Sequence, residues 1–158
     1  MDITSSDPDR VNDSHKRDVE IILAVLESGH SVELPATGYS MFPTLRPGDR
    51  VIVKPLTQED LPQKGSVVVY IENSGFVMHR LVEITRSGSG HTQFITRGDS
   101  MPEPDKPWHQ QKLLGVAVSY KRGKREYTVK SFVPDIMRYK FNRRVLWLYN
   151  MLKRVNQI

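Results

Sequence analysis

The chain has 158 residues, long enough for one domain with its own core. Apolar residues make up 38% and charged residues 26%, which sets it among globular chains rather than disordered or fibrous ones, and the lack of cysteine excludes thiol catalysis, disulfides and thiolate metal sites. The net charge of +5 is uneven: from Asp135 onward six basic residues face one acid, which equals the whole excess, so attraction to an anionic partner belongs to the C-terminal segment.

Residues 1–17 are polar and read as a flexible arm. They hold no apolar run fit for a secretory signal, and no stretch of about 18 apolar residues occurs anywhere, so neither a signal nor a spanning helix is expected. The expected location is therefore the cytoplasm, in solution or at the inner face of the membrane. Residues 18–28 place Val19, Ile22, Leu23 and Leu26 at helical spacing, with Gly29 as a stop. Residues 18–133 read as the main domain. Within it the period falls towards two, and strands are predicted at 31–35, 50–55, 65–72, 76–85, 92–96, 112–120 and 125–130. Turn signals at Asn73-Ser74-Gly75 and Ser87-Gly88-Ser89-Gly90 suggest hairpins. The expected fold is mainly β. Residues 134–158 return to a helical pattern. Ile136, Met137, Phe141, Val145, Leu148, Leu152 and Val155 form an apolar stripe, with Trp147 and Tyr149 beside it and basic residues over much of the rest. Two readings stand: a helix packed on the β-domain with a solvated basic face, or a helix lying in an anionic membrane interface.

The segment from Thr37 to Val53 carries the chemistry. Ser40 lies between Gly38, which lets another backbone come close, and Pro43, which stiffens the turn and keeps Phe42 extended. Such a serine is exposed but inert until a base takes its proton. Ser40-Met41-Phe42-Pro43-Thr44-Leu45, then Gly48-Asp49 and an apolar strand, resembles the nucleophile box of type I signal peptidases. A second run, Met78-His79-Arg80 through Ile84, then Phe94 to Ser100 and Asp105, resembles the boxes of the endoplasmic-reticulum and archaeal branch, where a His before an Arg replaces the bacterial Lys. Two such boxes in order are far more specific than one.

The resemblance to the signal peptidase I and SOS-repressor superfamily of serine peptidases implies a β-ribbon half-barrel. It also implies a serine endopeptidase that removes a leader, signal or pro-segment from a peptide or preprotein, with no cofactor and no metal. Ser40 becomes the nucleophile and His79 its general base. A histidine, with an ordinary pKa near 6.5, is largely neutral at cytoplasmic pH without the burial a lysine base needs. Asp105 takes the triad position, with Asp99 as the alternative third member. Gly38, Ser40 and Met41 are the oxyanion and substrate residues, the Ser40 N–H being the donor. Pro43, Gly98 and Asp99 support the turns. Three features depart from the family. Gly38 stands where most members carry Ser or Thr. Ser100-Met101 replaces Asn-Asn. No apolar anchor precedes the first box.

Plainer readings remain for each residue. Ser40 is then a turn serine, His79 a strand histidine bonded to a neighbour, and Asp105 a turn initiator in its proline-rich loop. The corresponding functional alternative is a non-catalytic peptide- or membrane-binding module on the same fold. A self-cleaving repressor is disfavoured, because one short helix before the β-domain is too little for a helix-turn-helix, and no specific nucleic-acid binding is expected.

Overall fold

The computed structural model describes residues 8–56, 60–73, 75–132 and 136–155. Its centre is one sheet of eight antiparallel strands: β1 (Val32–Pro35), β2 (Arg50–Pro55), β3 (Val67–Glu72), β4 (Gly75–Arg86), β5 (Thr92–Arg97), β6 (Trp108–His109), β7 (Leu113–Arg122) and β8 (Arg125–Thr128). The order is β1-β2-β7-β3-β4-β5-β6, with β8 also paired to β7. Helix α1 (Pro8–Glu27) precedes the sheet and α2 (Ile136–Val155) follows it. The mainly β fold with a helix at each end is the one the sequence predicts.

β3 is central because it can be buried on both faces. Val67, Val68, Val69 and Tyr70 are all essentially inaccessible, the signature of a strand covered from both sides. Successive side chains point to opposite faces, so this run feeds two cores. Val67 and Val69 join Leu26, Leu34, Met41, Leu45, Val51 and Val53 in one. Val68 and Tyr70 join Leu81, Phe94 and Trp108 in the other. The second core includes the stack of Tyr70 on Trp108, with ring centroids 4.2 Å apart.

Three boundaries differ from the sequence reading. α1 begins at Pro8, so residues 8–17, expected as an arm, are helical, and residues 1–7 lie outside the described residues. Proline suits the first turn of a helix, and a polar helix segment leaves no apolar period to detect. β6 was not predicted; two residues are too short for any period to register. The third concerns α2. Most of its expected stripe does not face the domain: Met137, Phe141, Leu148 and Leu152 are exposed, whereas Val145 is half-buried and Tyr139, Asn142 and Tyr149 turn inward. The side chains of Ile136 and Val155 lie outside the described residues. Of the two readings the sequence left open, α2 does touch the domain, through Asn142 and Tyr149, while most of the predicted stripe is turned away from it. Among the described residues, no helix is long and apolar enough to cross a membrane.

Candidate active site

Ser40 rides on the connection from β1 to β2, residues 36–49. Its base is closed by Ala36 N–H donating to Asp49 O (2.8 Å) and Gly48 N–H donating to Ala36 O (2.9 Å). Inside, Phe42 N–H donates to Tyr39 O and Leu45 N–H to Met41 O, both at 3.0 Å. The Phe42–Pro43 peptide is cis. Met41, Phe42 and Leu45 are buried, so the loop is fastened by its own apolar side chains. Arg122 on β7 adds a two-pronged ion pair to Asp49, at 2.8 and 2.6 Å, and Asp49 also accepts Arg46 N–H at 2.8 Å. Asp49 is thus structural.

β4 supplies the facing group. His79 is opposite Val68 and Arg80 opposite Val67 on β3, so the two adjacent side chains enter different faces. In a flat sheet β2 and β4 would be about 14 Å apart. The arching 36–49 connection closes that gap, and His79 Nε2 lies 3.1 Å from Ser40 Oγ.

The other ring nitrogen, His79 Nδ1, lies 2.6 Å from Asp105 Oδ2. That oxygen also accepts Thr96 Oγ1–H at 2.6 Å and Tyr70 O–H at 3.3 Å. Trp108 Nε1–H donates to Thr96 Oγ1 at 3.1 Å, which leaves the threonine proton for the carboxylate. Asp105 N–H donates to Thr96 O at 2.7 Å, so backbone and side chain are both held from β5. Burial pushes the Asp105 carboxyl up, but the hydrogen bonds from His79, Thr96 and Tyr70 outweigh it, and its pKa lies below the ordinary carboxylate range. Burial, reinforced by the Asp105 charge, raises the Tyr70 phenol, which therefore stays a neutral donor.

Asp99 does something else. Its carboxylate receives Arg80 Nε–H and Nη2–H, both at 2.7 Å, and also the Thr44 hydroxyl. Arg80 Nη1 donates to Gly65 O (2.6 Å) and Lys130 O (3.0 Å), and Phe132 covers the guanidinium. Arg80 and Asp99 are both buried, a desolvated ion pair with its donors satisfied. Of the two acids the sequence left open, Asp105 lies against His79 and Asp99 is committed to Arg80.

The turn after β5 grips the back of the serine. Ser100 N–H donates to Ser40 O at 2.9 Å, and Ser100 Oγ lies 2.8 Å from Tyr39 O and 3.0 Å from Ser40 O. A Cβ on Gly98 would sit 2.6 Å from Ser40 O, so glycine is required by contact rather than by torsion. Asn142, from the inward face of α2, donates to Asp99 O at 2.8 Å, and Tyr149 packs on Phe42 with ring centroids 5.3 Å apart. Gly38 is the opposite case: a Cβ there would meet only Ser40 N, at 4.0 Å, so a side chain has room.

Beside Ser40 opens a cavity of about 200 Å³. Ala36, Gly38, Met41, Leu45, Phe76 and Met78 line it. Its wall mixes apolar side chains with polar surface, Ser40 and Thr37 among it, and its volume suits small side chains. β5 pairs with β4 from Arg80 to Arg86, so among the described residues no strand pairs with Phe76–His79 on the β5 side. Among the described residues no cluster of three potential ligands is arranged to hold a metal ion.

All the residues singled out from the sequence converge here: Ser40, His79 and Asp105 in one hydrogen-bonded line, Gly38 and Met41 at the cavity, Pro43 in the loop, and Gly98 and Asp99 behind it. Residues missed were Tyr70, Thr96, Trp108, Ser100 as a clamp, Arg122 and Asn142. Ser100 and Thr96 stood inside the second box and were legible as neighbours; Tyr70, Trp108 and Asn142 carry no local signal. No family model matches the chain. It is 33% identical over 78 residues to Signal peptidase I W of Bacillus subtilis (strain 168), a stretch covering 49% of this chain and 40% of that protein. The chain is thus a distant, partial relative of a signal peptidase I and spans under half of that protein's length.

Proposed function

We propose that the chain is a serine endopeptidase of the Ser-His type, with Ser40 as nucleophile, His79 as general base and Asp105 as its orienting acid. The observation that carries this is the line of contacts from Ser40 Oγ through both nitrogens of His79 to Asp105, at 3.1 and 2.6 Å. Asp105, kept ionised, favours the tautomer with the proton on Nδ1. Nε2 is then free to accept the Ser40 proton as Oγ attacks a carbonyl carbon. The imidazolium formed is stabilised by the same carboxylate and returns the proton to the leaving amine. Water then repeats the sequence on the acyl-enzyme. The Ser40 N–H is the oxyanion donor; Gly38 brings no side-chain donor to help it.

The substrate is an extended peptide that runs along the unpaired edge at Phe76–His79 and sets a small side chain in the adjoining cavity. Leader, signal and pro-segments fit this description, and the Ser-His pairing aligns the site with the endoplasmic-reticulum and archaeal branch. Cleavage of candidate leader peptides, read by mass spectrometry, tests the assignment. Ser40→Ala and His79→Ala should each lower kcat by roughly a thousandfold or more. Cleavage that survives both substitutions sinks it.

A second reading, a non-catalytic membrane-binding module, is favoured by one observation, the outward apolar face of α2. A Ser40→Ala variant that fully supports the protein's role in the cell would select it.

A further inference from the structure

The inward face of α2 is spoken for. Tyr139, Asn142 and Tyr149 turn to the domain, and Asn142 and Tyr149 reach the loop that carries Ser40 and the turn behind it. Among the described residues, nothing covers the opposite face. Met137 is 71% exposed, Phe141 64%, Trp147 66% and Leu152 53%, with Leu148 and Met151 between them. At 100° per residue, Met137, Phe141, Leu148 and Leu152 fall within an arc of about 60°, and Met151 and Trp147 widen it on one side. Lys140 and Arg144 lie within the widened arc and Arg154 at its margin, all exposed. α2 contains no acidic residue.

We propose that this outer face docks the protein on an anionic phospholipid bilayer, with α2 lying flat in the interface. The apolar side chains enter the headgroup–acyl boundary, the basic ones meet phosphates, and the Trp147 indole sits where a half-polar ring is best solvated. Charge selects this occupant. A second copy would bring two wholly cationic helices together, whereas an acidic lipid surface is complementary. Because the inner face of the same helix touches the nucleophile loop, docking holds that loop about one helix diameter, ~10–12 Å, from the lipid. A peptide segment emerging from the membrane surface would then reach the site without leaving the interface.

The docking surface stands apart from the peptidase reading, and the test keeps them separate. The full chain is mixed with vesicles of phosphatidylcholine alone or with about one-third phosphatidylglycerol, then sedimented. Association is expected only with the anionic vesicles, accompanied by a blue shift of Trp147 emission, since Trp108 is already buried. Phe141→Ser with Leu148→Ser, both exposed and so tolerated by the fold, should weaken binding at least roughly tenfold with unchanged circular dichroism. Lys140→Gln with Arg144→Gln should also cost about tenfold, as should high salt. Ser40→Ala should sediment like the wild type. Equal binding to both vesicle types, no binding to either, or a dimer in solution dissolved by Phe141→Ser with Leu148→Ser would each overturn the proposal.

Discussion

Asp99 and Asp105 are the same residue type six positions apart, yet their surroundings make them opposites. Asp99 faces a permanent cation, is sealed from water and has its oxygens filled by Arg80 and Thr44. Asp105 faces a histidine, whose charge can change, and keeps part of its side chain in contact with solvent. A carboxylate against a fixed charge is a rivet; one against a titratable ring responds to proton movement. The sorting is done by β4, whose alternation sends His79 to one face and Arg80 to the other.

The sharpest way to break this contrast is Asp105→Asn. The isostere keeps the shape but removes the charge that fixes the His79 tautomer, so kcat should fall by up to roughly ten-thousandfold, by analogy with triad enzymes, while thermal stability changes little. Equal losses in rate and stability would erase the distinction. Arg80→Met probes the other acid. It leaves Asp99 buried and unpaired, at a cost of about 3–5 kcal/mol in denaturant unfolding. Gly98→Ala acts between the two. Its methyl group must displace Ser40 O, and a displacement of the nucleophile on the order of 1 Å should lower kcat about a hundredfold. The smallest expected effect is on pH dependence. The folded-state pKa of Asp105 is lowered, so its stabilising contribution is fully present above the unfolded value, about 3.9, and fades as pH falls through the lower folded value. The difference in Tm between wild type and Asp105→Asn should hold steady from neutrality to about pH 4 and shrink only below that.

Much of this site was legible because its chemistry is encoded in short runs of chain. Ser40 with Pro43, and His79 with Arg80, are readable without knowing what lies across the sheet. The strands were legible too, since alternation and turn residues mark them. What escaped depends on long-range proximity. Trp108 reaches Asp105 through Thr96 and through the Tyr70 ring it stacks on, and neither periodicity nor spacing announces such a relay. Asn142 carries no local signal of its role, yet it is buried on Asp99 O. Which way α2 faces was left open between two readings for a further reason. Hydrophobic periodicity finds an apolar stripe but does not say what it turns to, and here Asn142 and Tyr149 meet the domain while most of the stripe points away.

One stretch of chain, residues 98–105, touches every part of the machinery. Ser100 holds the back of Ser40, Asp99 holds Arg80, and Asp105 meets His79. Spacing along this stretch is therefore a calibrated length, as much a part of the chemistry as the side chains. Lengthening it by one residue after Ser100 would slide the acid off the imidazole while the Arg80 pairing stayed intact. Loop grafting can be freer at the Ser87–Gly90 hairpin, which measures nothing in the site.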